Sequence, residues 1–238
     1  MPVIALQGIR GGVGATALTA GLAWALHHPD EKVVALDLSP ANQLGQHFNT
    51  PFGDTAGWLR AALGDDDARP GARRYRPGLD FIPCGELSAA ERARFYRAPA
   101  DILQPWLDQC LPALRRDYDW VLLDIPARLD AAALPRVDRL IQVIMPDANC
   151  HLRLHRATPA PGGWYLINQF SLHSAAQQDL HQLWSVSLRR RVPLTVHHDE
   201  AVAEAMLHKQ PLGEYRPQSL AAEELNALAV WLRQPITE

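Results

Sequence analysis

Lysine is almost missing from this 238-residue chain: of 23 basic residues only Lys32 and Lys209 are lysines, and the rest are arginines. A GC-rich coding bias accounts for such a ratio in general. Even so, any chemistry that needs a lysine has two candidates. Cysteine is sparse as well. Cys84, Cys110 and Cys150 lie far apart and form no CxxC pair, which points away from a disulfide scaffold and towards a reducing compartment. No apolar run reaches the roughly 18 residues that a spanning helix needs. The opening MPVIALQGIRGG has no basic stretch before its short apolar run, so it reads as a strand and not as a signal peptide. The closing AVWLRQPITE offers no long basic amphipathic tail for a lipid surface. A strong excess of positive charge is also lacking. The net charge is −3, which argues against a strongly basic nucleic-acid binder.

What is present is an ordinary α/β composition, 47% hydrophobic and 21% charged. Val3–Gln7, Lys32–Leu38, residues 79–83, Trp120–Asp124, Arg139–Met145, Gly163–Asn168 and Arg191–Val196 read as strands. Helical spacing marks Thr16–His28, Thr55–Leu63, Ala89–Arg97, Asp101–Arg116, Ala175–Leu188, Glu200–His208 and Ser219–Arg233. Residues 64–78 are polar and rich in glycine and proline, and read as a surface loop. Several strands are apolar on both faces, the mark of parallel strands covered by helices. The expected fold is a doubly wound α/β domain over residues 3–233, with about seven mostly parallel strands, helices on both faces and a short tail at 234–238.

The chemistry concentrates at the first strand–helix junction, GIRGGVGAT, residues 8–16. Glycines there let backbone N–H groups turn inward, and the following helix N-terminus adds partial positive charge, so the loop can cradle phosphate. The usual phosphate loop is GxxxxGK[ST]. Gly8, Gly14 and Thr16 keep that spacing, but Ala15 stands where the lysine belongs. The register GxxGGxG does not fit a dinucleotide-binding GxGxxG. The alternative to a phosphate site is a tight turn that merely needs glycine.

Arg10-Gly11-Gly12-Val13-Gly14-Ala15-Thr16 resembles the deviant phosphate loop of the MinD/ParA family of dimerising ATPases, which carries a lysine at the first and sixth of these positions. Arginine keeps the first charge and adds a bidentate fork suited to phosphate. Ala15 removes the second charge altogether. The resemblance implies a nucleotide at Arg10 through Ala17, and magnesium at Thr16, Asp37 and Asp124. Asp37 is the candidate catalytic carboxylate. Ser39 stands where the family has a second aspartate that positions the attacking water, and serine is a poor general base. Asn168 stands where the family reads an adenine edge, although a strand-end Asn is otherwise an ordinary turn residue. Pro211 and Leu212 resemble the segment packing against the base.

Longer stretches match more closely. LQGIRGGVGATALTAGLAW, YDWVLLDIP, DANCHLRLH and the run from Arg189 to Leu225 resemble the MinD-like family of bacterial cellulose synthesis, from residue 3 to about 233. That resemblance implies an ATP-dependent homodimer working with a small partner protein, BcsR, with the cyclic-di-GMP-binding regulator BcsE and with the inner-membrane cellulose synthase. It implies a cytoplasmic chain recruited to that membrane through the complex, acting as a scaffold or regulator with slow or absent hydrolysis. The alternative is a cycling partition ATPase that positions cargo on DNA or membrane. In DANCHLRLH, Asn149 and Arg153 are candidates for nucleotide contact, Arg153 as a substitute for the missing lysine. The plainer reading is a helix start capped by Asn149 with solvated neighbours. His151 and His155 have zinc-like spacing but no third ligand nearby. Arg189-Arg190-Arg191 is a candidate DNA contact, or a solvated helix end.

Overall fold

The computed structural model describes residues 1–64, 71–129, 137–156 and 162–234. Its centre is an eight-stranded sheet in the order β3-β4-β2-β5-β1-β6-β7-β8. The strands are β1 (Val3–Gly8), β2 (Val33–Asp37), β3 (Arg73–Arg76), β4 (Leu79–Ile82), β5 (Trp120–Ile125), β6 (Arg139–Ile144), β7 (Trp164–Phe170) and β8 (Arg191–His197). All neighbours are parallel except the β3–β4 pair.

Strand periodicity explains the layering. In β1, Ile4 and Leu6 face one apolar cluster while Val3 and Ala5 face another. In β5, Trp120 and Leu122 join the first and Val121, Leu123 and Ile125 the second. Side chains alternate across a strand, so a run apolar at every position must be covered on both sides. Helices α1 (Ala15–Leu26) and α9 (Leu220–Arg233) cover the first face. Helices α2 (Trp58–Ala62), α3 (Ala89–Arg97) and α4 (Pro99–Asp117) cover the second. In α4 the buried residues are Leu103, Leu107, Leu111 and Leu114, one stripe at helical spacing. The remaining helices are α5 (Ala148–Arg156), α6 (Ala175–Ser187), α7 (Glu200–Leu207) and α8 (Leu212–Tyr215).

The doubly wound expectation holds, with one strand more than the sequence indicates. Residues 73–76, expected in a loop, form the antiparallel edge strand β3, and residues 65–70 of that loop lie outside the described residues. An edge strand has one bare side, so Arg-Arg-Tyr-Arg serves there without an apolar pattern. Tyr75 packs edge-on against Phe48, with ring centroids 5.4 Å apart. The 3-10 turn Leu44–Phe48 and helix α8 are also additions to the sequence reading. Of the expected tail, residues 235–238 lie outside the described residues.

Both lysines stand away from the glycine loop. Lys32 precedes β2 at the end opposite Asp37. Lys209 ties two loops together: its ammonium donates to the Thr50 carbonyl and lies 4.4 Å over the Phe52 ring, while its own carbonyl accepts from Asn49 N–H at 3.1 Å. Among the described residues no helix is long and apolar enough to cross a membrane.

Candidate phosphate and metal site

Parallel strands end together, so β1, β2 and β5 deliver Gly8, Asp37 and Asp124 to one edge of the sheet. A cleft of about 580 Å³ opens there, in the size range of small-molecule sites. The glycine loop forms its floor. Gly12 and Gly14 hold left-handed φ angles of +79° and +88°. Gly14 caps α1 without a side chain, and the first turn carries no acidic residue. The free N–H groups at that helix start therefore face an anion-compatible space.

The loop is clamped from β7. The Asn168 amide donates to the Val13 carbonyl at 2.7 Å, and the Gln169 amide donates to the Gly12 carbonyl at 3.2 Å. Asn168 is buried and does not line the cleft, whereas Gln169 does. The sequence leaves Asn168 open between a base-edge contact and an ordinary turn residue; in the structure its amide is bonded to the loop backbone.

Thr16 and Asp124 meet at the foot of the loop, the hydroxyl donating to the carboxylate at 2.8 Å. Asp124 is buried, and burial pushes it up to about 7, with the Thr16 bond acting in the opposite direction. Asp37 lies beside it on the neighbouring strand, since the two are register partners. Burial and then the Asp124 charge push Asp37 well above the ordinary carboxylate range. Its oxygens accept from Ser39 N–H at 2.8 Å and Leu44 N–H at 3.0 Å. Asp124 lines the cleft and Asp37 does not. Of the three expected metal ligands, Thr16 and Asp124 therefore face the space, and Asp37 stands behind them as a second negative charge. Ser39 lines the cleft, but its hydroxyl accepts from Ala41 N–H at 3.3 Å within its own turn.

A hydroxyl beside a carboxylate is a hard-oxygen donor pair, the kind that holds magnesium with several waters retained. Two buried like charges with one shared deficit of positive charge fit such a cation. Among the described residues there is no group of three or more His, Cys, Asp or Glu able to hold a metal ion. His151 and His155 stand edge-to-face at 4.5 Å, and His151 Nδ1 accepts from the Trp184 indole at 3.2 Å, so that ring is committed to packing.

Arg10 lines the cleft, but its guanidinium forms an ion pair with Asp147 and donates to the Gly11 carbonyl at 2.7 Å. Burial acts to raise Asp147, and the Cys150 N–H and Arg10 outweigh it, so the carboxylate stays below its usual range. Asp147 also accepts from Cys150 N–H at 2.7 Å, which caps α5 one residue pair earlier than the sequence reading places the cap, at Asn149. Arg153 lines the cleft, and its Nε donates to Asn149 Oδ1 at 2.9 Å. Asn149 itself is not in the lining. Pro211 caps α8 and is buried outside the cleft.

Five residues from four segments contribute walls that sequence reasoning missed: Gln43 and His47 at the 3-10 turn, Met206 from α7, Tyr96 from α3, and Arg128 after β5. His47 is buried, and that burial lowers its pKa to about 4, so it faces the cleft as a neutral ring. The Arg189–Arg191 triplet runs into the start of β8, at the end of the parallel strands opposite the cleft.

A glycine loop between β1 and α1, a Thr–Asp pair at its foot and a mostly parallel sheet define a P-loop fold of the MinD/ParA type. The solved structure of MinD from Pyrococcus horikoshii in complex with Mg-ADP has this fold, with a TM-score of 0.73 at 19% identity, covering 98% of this chain and 96% of that one. The chain belongs to the BcsQ family of cellulose biosynthesis proteins, whose model matches residues 1–232. It is 43% identical to the cellulose biosynthesis protein BcsQ of Salmonella typhimurium, over 97% of this chain and 94% of that one. The Escherichia coli K12 protein of the same name is 41% identical with the same coverage.

Proposed function

We propose that residues 3–233 act as one nucleotide-binding unit that takes ATP with magnesium, closes two copies around it, and holds that closed state with weak or no hydrolysis. One observation carries this reading: the cleft keeps a clamped phosphate cradle and a Thr16–Asp124 pair, while Ala15 and Ser39 have replaced the two side chains that hydrolysis most needs. Backbone N–H groups at residues 11–17 bind inner phosphates. Thr16 and Asp124 hold the cation, and Asp37 adds charge behind it. Magnesium would supply charge neutralisation between phosphate oxygens. Arg10 and Arg153 supply side-chain cations.

Bound nucleotide stabilises the closed pair by mass action, so turnover is not required for the switch. The relatives' name places them in cellulose biosynthesis. On that basis the closed dimer is a docking element of the cellulose synthase complex, held at the inner membrane by its partners, with BcsR and BcsE as the expected partners. The cycling-ATPase alternative gains nothing from this geometry. Ser39 carries no charge and is tied into its turn, and the arginine triplet sits away from the cleft.

The test is equilibrium ATP binding together with phosphate release in the presence of magnesium. Saturable binding with turnover at least 100-fold below that of an intact-motif ATPase is expected. Failure to bind ATP, or turnover at a cycling rate, overturns the proposal.

A further inference from the structure

The missing loop lysine leaves a charge deficit at one end of the cleft. In phosphate loops the backbone takes the inner phosphates and the lysine reaches towards the outer ones. Ala15 therefore costs the outer phosphates their side-chain cation. The metal side of the cleft, at Asp124, serves those same phosphates. A substitute has to be a cation on that wall.

Three cationic side chains line the cleft among the described residues: Arg10, Arg128 and Arg153. Arg10 is already neutralised by Asp147. Arg153 projects from α5 and is steadied by neutral Asn149. Arg128 is different on both counts. It makes no ion pair with any described residue, and it follows Asp124 by four positions on the chain, with Ile125, Pro126 and Ala127 also in the lining. The segment carrying it is fixed. The buried Gln7 amide, on β1 just before the glycine loop, donates to the carbonyls of Pro126 at 3.2 Å and Leu129 at 2.7 Å. One side chain thus anchors both ends of the Arg128 turn to the strand that carries the loop. Tyr96 also lines the cleft within the electrostatic reach of Arg128: burial raises its hydroxyl, and the Arg128 charge acts against that rise.

We infer that Arg128 is the residue that binds the terminal phosphate, the function lost at Ala15, and so distinguishes a nucleoside triphosphate from a diphosphate in this cleft. The inference rests on the nucleotide reading above. It assigns a specificity role to a residue outside the phosphate-loop motif, supplied by a turn that Gln7 holds in place.

The experiment compares ATP and ADP affinities, with magnesium, for the unaltered chain, Arg128→Ala and Arg128→Lys, by calorimetry at protein concentrations where the mass is that of one chain. Arg128→Ala is expected to weaken ATP binding by about 10- to 100-fold, the scale of one charge-assisted contact, and to leave ADP within about 3-fold. Arg128→Lys is expected to recover most of the ATP loss. The thermal midpoint without ligand should be unchanged, because Arg128 has no ion-pair partner among the described residues. Equal losses for ATP and ADP overturn the inference, as does unchanged ATP affinity in Arg128→Ala, and in both cases the nucleotide reading stands. An unaltered chain that binds neither nucleotide overturns that reading, and this inference falls with it.

Discussion

In metal-free solution at pH 8, Asp124→Asn is expected to be more stable than the unaltered chain by about 2–4 kcal/mol. The sign follows from burial. An unfolded aspartate loses its proton near pH 3.9, whereas Asp124 in the fold is pushed up to about 7, first by burial. Between those values the folded state holds a proton that the unfolded state has released. Stability therefore falls as pH rises from about 4 to about 7 and stays low above that. Asp37, pushed in the same direction by burial and by Asp124, adds to the slope. An asparagine carries no proton to lose and can still accept from the Thr16 hydroxyl. Magnesium should invert the ranking. It stabilises the unaltered chain, more at pH 8 than at pH 6, and has no such effect on the variant. Denaturant melts at both pH values, with and without magnesium, read all four states. An Asn variant that is less stable at pH 8 without metal would show that the buried carboxylates are not the source of the strain.

Gly14→Ala is the second large effect. Gly14 sits at φ +88°, where an L side chain is strained by about 1–2 kcal/mol. Its added Cβ would also lie 2.5 Å from the Asn168 amide nitrogen. That amide cannot stay on the Val13 carbonyl, and losing a buried hydrogen bond costs about 1–3 kcal/mol more. A total loss of about 2–5 kcal/mol is expected, together with loss of nucleotide binding, since the cradle and its clamp move together. Gly11→Ala is the control. Nothing lies within 4 Å of a Cβ there, and its φ is not left-handed, so its folding should be unaffected. Equal stability of the two variants in denaturant melts would contradict the clamp.

The sheet was legible where both faces of a strand are apolar. β1, β2 and β5 carry continuous hydrophobic runs, and their ends name Gly8, Asp37 and Asp124 directly. Thr16 and its partner Asp124 were legible because a glycine loop and a strand-end aspartate are local patterns. β3 was not, because an edge strand of arginines carries no apolar period. The clamp from Asn168 to Val13 joins residues 155 positions apart, and no local spacing announces it. The far wall of the cleft was hidden for the same reason. Gln43, Tyr96, Arg128 and Met206 come from separate elements, and only the folded chain brings them together. The lysine shortage acquired a structural meaning in this way. One lysine serves as a loop tie far from phosphate, and the cleft is served by arginine alone.

ATP is expected to close two copies of this chain into a state that persists. Molar mass in solution, followed over hours after adding magnesium and ATP, tests it most directly. The mass should double from 26.4 kDa with ATP and not with ADP, and the dimer should not decay while ATP remains intact. A mass that stays at one chain with saturating ATP, or a dimer that falls apart as phosphate is released within minutes, would contradict it.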